Sequence, residues 1–293
     1  MSARIIDGKA IAATLRIQVG AVVPALPGQP TLAVVIVGDD PASHVYVRSK
    51  VKETAAAGMR SLHIELPADT AEAEVVARVK ALSADPDVDG ILVQLPLPAH
   101  IDPQRVLDVI DPQKDVDGLT DTSAGRLALG KPGLRPCTPY GCVVLAKSTG
   151  EKLAGKNVVV LGRSILVGRP AALLFLAEDC TVTIAHSKTR DLAALCRSAD
   201  ILVPAIGRAQ FVQGDWVRDG AIVLDVGINR VPAPEKGEGK TRLVGDVAFD
   251  AAAARAAWIT PVPGGVGPMT IACLLRNTVL AACDRRGWAL PAL

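Results

Sequence analysis

Asn157-Val158-Val159-Val160-Leu161-Gly162-Arg163-Ser164-Ile165-Leu166-Val167-Gly168-Arg169-Pro170 reads as a buried strand that runs through a glycine turn into a helix. That order of elements builds an anion site: the glycines let the backbone approach a pyrophosphate, and the first amides of the helix point at it. Two of the three glycines usual for a dinucleotide turn are present, Gly162 and Gly168. A strand-to-helix turn that needs glycine for packing alone is therefore the competing reading.

The next strand bears on the cofactor. Thr181–Ala185 ends in His186-Ser187-Lys188-Thr189-Arg190, with no carboxylate before Asp191. A site that prefers NAD usually places an acidic residue here to bond the ribose 2′-hydroxyl. A hydroxyl beside cations, with Arg163 able to reach the same place, suits a 2′-phosphate, so NADP is expected over NAD. A helix is expected over residues 170–178, and further strands over 201–203 and 221–226.

An earlier series has the same rhythm. Residues 31–38 read as a strand, 43–57 as a helix stopping at Gly58, 60–66 as a strand, 70–84 as a helix and 88–95 as a strand. Strands alternating with helices predict parallel sheets covered by helices, with ligand chemistry in the crevice at the strands' carboxyl ends. A Pro- and Gly-rich stretch, 130–139, separates the two series. A second one, 261–268, should be neither helix nor strand and leads into a last helix over 269–283. The expectation is two α/β domains hinged near residues 130–150.

Composition narrows the class. In 293 residues, 49% are hydrophobic but only 3% aromatic, so the core is built from Ala, Val, Leu and Ile. The 32 basic and 30 acidic residues leave a net charge of +2 with no run of one sign, which argues against a nucleic-acid or membrane surface. Six scattered cysteines without a CxxC pair read as reduced thiols of a cytoplasmic protein. The first seven residues lack an apolar signal core, and the C-terminal apolar stretch is interrupted by Arg276 and Asn277, so no membrane span is expected. No GxxxxGK[ST] loop occurs, which argues against an ATP-dependent ligase.

Candidate chemistry lies in the first half. Ser43, Tyr46 and Lys50 follow one another at steps of three and four residues and so share a helical face. A tyrosine and a lysine there supply a stacking face and a proton-transfer amine; the alternative is a surface helix with a snorkelling lysine. Gln94, between Val93 and Leu95, stands where a buried strand exits, or is simply a polar strand terminus. Asp115 and Asp117 lie in Lys114-Asp115-Val116-Asp117-Gly118, for which a solvated Asp-Gly turn is the ordinary explanation. Pro263-Gly264-Gly265-Val266-Gly267-Pro268 is glycine-rich enough for backbone to approach a flat ligand.

Taken together, the motifs resemble the bifunctional methylenetetrahydrofolate dehydrogenase/cyclohydrolase family over nearly the whole chain. They are Asp7-Gly8-Lys9, Pro41-Ala42-Ser43 with Tyr46-Val47-Arg48-Ser49-Lys50, Gln94-Leu95-Pro96-Leu97-Pro98 and Lys114-Asp115-Val116-Asp117-Gly118. In the second half they are Pro136-Cys137-Thr138-Pro139-Tyr140-Gly141, Gly162-Arg163-Ser164 with Val167-Gly168, and Asp225-Val226-Gly227-Ile228-Asn229. The last is Thr260-Pro261-Val262 running through the glycine-rich stretch to Met269-Thr270.

The resemblance implies an N-terminal three-layer α/β substrate domain, residues 1–137, and a Rossmann-like NADP-binding domain, residues 138–268. It implies a catalytic cleft between them, with the C-terminal helix, 269–293, packing back on the first domain. A homodimer acting on tetrahydrofolate derivatives, with no metal, is expected. Hydride passes from 5,10-methylenetetrahydrofolate to NADP, and water then opens the methenyl ring to 10-formyltetrahydrofolate.

By similarity, Lys50 is the proton-transfer residue, Gln94 bonds it, Tyr46 stacks on the folate, Asp117 holds the pterin, and Ser43 belongs to the catalytic group. Val47, Arg48, Ser49, Val93, Leu95 and the run Pro263-Gly264-Gly265-Val266-Gly267 complete the substrate site. Gly162, Arg163, Ser164, Val167, Gly168, Ser187 and Ile228 contact NADP. One stretch departs from the family. After Gly118 an aromatic, then His-Pro and an Asn are usual, whereas this chain has Leu119-Thr120-Asp121-Thr122-Ser123-Ala124 before Gly125-Arg126-Leu127. The alternatives are a dehydrogenase without the hydrolase, which retention of Lys50 and Gln94 opposes, and a silent NADP- or folate-binding protein.

Overall fold

The structure, a computed structural model, describes residues 2–234, 237, 239–291 and 293. The chain begins with β1 (Arg4–Ile5), α1 (Gly8–Val22), β2 (Thr31–Val37), α2 (Pro41–Ala56), β3 (Arg60–Leu66), α3 (Glu72–Ala84) and β4 (Gly90–Val93). It continues through α4 (Pro103–Leu107), α5 (Asp121–Ala128), α6 (Cys137–Ser148), β5 (Asn157–Leu161), α7 (Gly168–Leu176) and β6 (Thr181–Ala185). The remainder holds α8 (Leu192–Arg197), β7 (Ile201–Pro204), β8 (Ile222–Val223), β9 (Asn229–Pro232), β10 (Thr241–Val244), α9 (Phe249–Ala253), β11 (Trp258–Ile259) and α10 (Val266–Arg286).

Two units result, and each has its own parallel sheet. One comprises Ala13–Cys137 and Ile271–Leu293, with strand order β3-β2-β4. β2 is buried along its whole length, as a central strand covered on both faces must be. The edge strand β3 is buried only in part. Val75, Val79 and Leu82 of α3 cover one face of this sheet against Ala33, Val35, Ile91 and Val93. Strand order reverses between β2 and β4, so the crevice of this unit opens beyond Val37 and Val93. The buried Asp89 at the foot of β4 is gripped by Arg285 and Arg286 of α10, at 2.9 and 2.7 Å.

The other unit comprises Met1–Ala12 and Thr138–Thr270. Its main sheet has six strands, all parallel, in the order β1-β11-β8-β7-β5-β6 with the reversal between β5 and β7, and β9 pairs separately with β10 as an antiparallel ribbon. β1 pairs with β11 through Arg4↔Trp258 and Ile5↔Ile259. Residues expected in the N-terminal domain therefore belong with the dinucleotide half, because the sheet edge there is completed by the chain's own start.

One other expectation changes. The stretch 261–268 was expected to exclude helix, yet α10 begins at Val266 with Pro268 in its first turn. Proline costs no hydrogen bond there, since those N–H groups have no helical acceptor. By length and composition α10 also reaches a bilayer span, with 21 residues and a mean hydropathy of 1.4, but 67% of that window is buried inside the protein. It is a core helix, and Asn277 is part of its packing.

Candidate active site

The first crevice is built from the start of α2. Asp40 caps this helix, its Oδ2 accepting from the backbone N–H and the hydroxyl of Ser43, both at 2.8 Å. The Ser43 proton is thus engaged in holding the helix start. Two turns on, Lys50 is only 6% exposed and its Nζ donates to Gln94 Oε1 at 2.9 Å. Gln94 is held immediately after β4: its backbone N–H donates to Val35 O at 2.8 Å and its Nε2 to Leu95 O at 2.6 Å. That second bond turns the amide oxygen toward the lysine.

The rest of the α2 motif divides by face. Tyr46 is 39% exposed, one turn before Lys50. Val47 is in the core, Arg48 is exposed, and the Ser49 hydroxyl donates to Val45 O at 3.0 Å. Val93 is a buried strand residue. Of the expected substrate contacts in this unit, Tyr46 is exposed and Lys50 is buried against Gln94, while Val47 and Val93 are core residues.

The motif from Lys114 to Gly118 proves to be anything but a solvated turn. Lys114 is 1% exposed, and its Nζ donates to the carbonyls of Leu82, Ser83 and Asp85 at 2.6–3.2 Å, closing the end of α3. The Asp115 carboxylate accepts from the N–H groups of Leu119 and Thr120 at 3.0 and 2.7 Å. Asp117, half-buried, is left to face Lys50. The departure from the family pattern folds in an orderly way: Thr120 caps α5, its Oγ1 accepting from Ser123 N at 3.2 Å.

Electrostatics tune this cluster. Burial pulls the pKa of Lys50 below the ordinary lysine value, with Asp117 and Cys137 opposing it. Burial raises Asp117, which Lys50 partly offsets. Burial also pushes the Cys137 thiol well up, so it stays neutral. It donates to Val116 O at 3.3 Å and bonds the Asp117 carboxyl. Asn277 Nδ2 donates to Val116 O and Arg135 O, both at 2.8 Å, pinning the chain on either side of Asp117. Neither Cys137 nor Asn277 was assigned a role from the sequence. Cys137 stood in a recognised motif, but Asn277 carried no signal beyond being polar in an apolar helix.

The second crevice is a turn of backbone. A Cβ on Gly162 would stand 2.3 Å from Ala205 O, and one on Gly168 2.2 Å from Gly162 O. Both glycines are thus required for closure, and Gly162 has φ +131°. Ser164 Oγ accepts from the N–H groups of Val167 and Gly168 at 3.1 and 3.3 Å, stapling the turn to the start of α7. Arg163, Ser187, Lys188 and Arg190 are all exposed at the carboxyl ends of β5 and β6. The first carboxylate after β6, Asp191, is engaged as the cap of α8, accepting from Ala194 N at 3.3 Å. An open, cation-flanked turn fits a dinucleotide phosphate.

The glycine-rich run belongs to this unit. A Cβ on Gly265 would meet Pro261 O at 2.5 Å, and one on Gly8 would meet Gly265 O at 1.9 Å. Gly265 is thus used for backbone packing, whereas Gly264 has φ +104° and a Cβ there would meet Pro261 Cγ at 4.0 Å. Ile228, 46% exposed, stands beside Gly267.

Family profiles match both halves: the tetrahydrofolate dehydrogenase/cyclohydrolase catalytic domain over residues 6–117, and the NAD(P)-binding domain of the same family over residues 136–286. The chain belongs to this family. A "Bifunctional protein FolD" from Hyphomonas neptunium is 70% identical over 292 residues, covering 99% of each chain. The bifunctional FolD dehydrogenase/cyclohydrolase structure from Campylobacter jejuni has a TM-score of 0.92 at 42% identity, covering 97% of this chain and 100% of that one. The Trypanosoma brucei enzyme, solved with NADP and an inhibitor, has a TM-score of 0.92 at 41% identity, covering 99% and 100%. As a member, the chain is a methylenetetrahydrofolate dehydrogenase and methenyltetrahydrofolate cyclohydrolase of one-carbon metabolism, with a catalytic domain and an NAD(P)-binding domain.

Proposed function

We propose that Lys50 carries the protons of the hydrolysis step and that the dehydrogenase uses NADP at the Gly162 turn. The observation that supports the first assignment is a buried amine 2.9 Å from Gln94 Oε1. General acid–base catalysis needs a group that titrates near the working pH, and burial moves Lys50 in that direction. A cationic methenyl substrate beside it adds to the same shift.

Oxidation asks little of the side chains. The lone pair of a ring nitrogen expels hydride from the methylene carbon, and NADP supplies the acceptor. The protein's part is orientation: Tyr46 stacks on the folate and Asp117 binds the pterin. In hydrolysis, water adds to the methenyl carbon while neutral Lys50 takes one of its protons. The resulting ammonium returns a proton to N5 as the C–N5 bond breaks, and the hydroxyl proton passes to solvent water as the formyl carbonyl forms, so one proton is released overall. Gln94 holds Nζ in place through both transfers.

Arg163, Ser187, Lys188 and Arg190 present the charge and hydroxyl that a 2′-phosphate needs, and the engaged Asp191 offers no competition for it. We take the enzyme to be a cytoplasmic homodimer. The open edge of β3 provides a place for a second chain, and the six cysteines are buried free thiols.

The test is to mix the enzyme with 5,10-methylenetetrahydrofolate and either NADP or NAD, following NADPH and methenyl absorbances separately. NADPH rising without methenyl accumulation is expected. Methenyl building up and decaying no faster than in buffer would overturn the hydrolytic assignment. Equal rates with NAD would overturn the cofactor assignment.

A further inference from the structure

The dinucleotide-binding unit contains a buried carboxylate that neither crevice uses directly. Asp246 follows β10 and is 0% exposed. Its Oδ2 accepts from the backbone N–H groups of Ile206 and Gly207 at 2.7 and 3.0 Å. Its Oδ1 accepts from Arg208 N at 2.8 Å and from Asn229 Nδ2 at 2.9 Å. Three successive amides converging on one anion form the kind of concavity that elsewhere receives phosphate. Here a side chain of the same chain fills it, so this concavity is closed to a ligand phosphate.

The two segments that Asp246 joins both border the cofactor crevice. Residues 206–208 continue from β7, whose exit at Ala205 lies directly against Gly162. Asn229 begins β9 and adjoins the exposed Ile228. Asp246 is itself held from behind: Asp225 Oδ1 accepts from Asp246 N and Gly227 N at 2.9 and 3.0 Å, and Asp225 Oδ2 accepts from Val247 N at 2.9 Å. The space is too tight for anything larger, since a Cβ on Gly227 would stand 2.3 Å from Asp246 Oδ1 and one on Gly245 1.8 Å from Asp225 Oδ2.

We propose that Asp246 is a positioning residue for the cofactor: one carboxylate sets both the segment after β7 and the Ile228 loop, so that the rim of the NADP site is formed before the ligand arrives. The inference rests on NADP binding at the Gly162 turn. Preorganisation of this kind acts on affinity, because the cost of ordering two loops is met on folding instead of on binding. Hydrolysis of the methenyl compound consumes no nucleotide, so it reports on whether the remainder of the enzyme is intact.

Asp246→Asn puts an NH2 in place of one oxygen, facing N–H donors it cannot accept from. NADPH affinity, measured by calorimetry without folate, is expected to fall about 10-fold or more, as for loss of hydrogen bonds to a charged group. The KM for NADP should rise in parallel while kcat changes less. Hydrolysis of methenyltetrahydrofolate without nucleotide should stay within about twofold of wild type, since no proton-transfer group is altered. Asn229→Ala removes a single bond and should weaken NADPH about threefold; it decides the matter if Asp246→Asn fails to fold. Arg163→Ala serves as the control for cofactor placement. Wild-type NADPH affinity in the Asp246 and Asn229 variants, with Arg163→Ala weakened, would overturn the inference alone. Wild-type affinity in all three would overturn the cofactor placement and the inference with it.

Discussion

The two crevices use the same topology in opposite ways. Both open where strand order reverses, between β2 and β4 in one unit and between β5 and β7 in the other. In the first, the working groups are drawn inward: Lys50 is buried, Asp117 is half-buried and Cys137 is closed off. In the second, Arg163, Ser164, Ser187 and Lys188 are all exposed, and the buried side chains of Asp225 and Asp246 brace the backbone from behind. A proton-transfer group works best with a pKa moved toward working pH, and burial, neighbouring charge and hydrogen bonding are what move it. Anion binding requires exposed donors on rigid backbone, and rigidity comes from the support beneath.

The sharpest way to break this comparison is at its buried end. Lys50→Met is expected to lower hydrolysis by about 100-fold or more, the range for a general acid–base group, with the dehydrogenase step much less affected. Full hydrolysis in that variant, measured from methenyl decay, would remove Lys50 from the chemistry. At the exposed end, Arg163→Ala is expected to raise the KM for NADP about 10-fold or more, the scale of a charge-assisted hydrogen bond. The KM for NAD should hardly move, and an equal change for both would disconnect Arg163 from the 2′-phosphate.

A subtler probe is the pH profile. Hydrolysis needs the neutral amine, so its rate should rise with pH through the lowered pKa of Lys50. The Asp117 charge opposes that lowering. In Asp117→Asn the amine titrates lower still, and the acid limb of kcat should move to lower pH, beneath an overall loss of rate. An unmoved limb would show that Asp117 is already neutral at working pH. The smallest expected effect is at Thr120→Ala, which removes the cap of α5 and should cost about 1 kcal/mol in denaturant unfolding. Both activities should survive, because Asp115 still holds the turn that carries Asp117.

Much of the fold was legible along the chain. β3, β5 and β6 run over the residues expected for them, since short β-rich runs bounded by polar or glycine residues mark their own ends. α4, α8 and α9, at five or six residues, were not legible, because less than two turns displays no periodicity. α1 was overlooked although its start carries a signal, the Asp7 carboxylate accepting from Ala10 N at 3.0 Å. Of the candidate site, the sequence offered a set of residues, and the structure shows that several of them have other local duties. Ser43 bonds the Asp40 cap of α2, Val47 is core, and Lys114 closes α3, yet each stands in a motif beside residues near a crevice.

From sequence alone came the two α/β halves and the glycine turn, because these depend on local order and spacing, and the family came through the resemblance of its motifs, which also implied roles for Lys50, Gln94 and Asp117. Ionisation and support were decided only by the tertiary structure. Lys50 meets Gln94 across 44 residues of sequence, and Asp246 meets Ile206 across 40. A lowered amine pKa and a filled nest of amides arise from such distant partners and from the exclusion of water around them, and neither leaves a mark in the chain's local pattern.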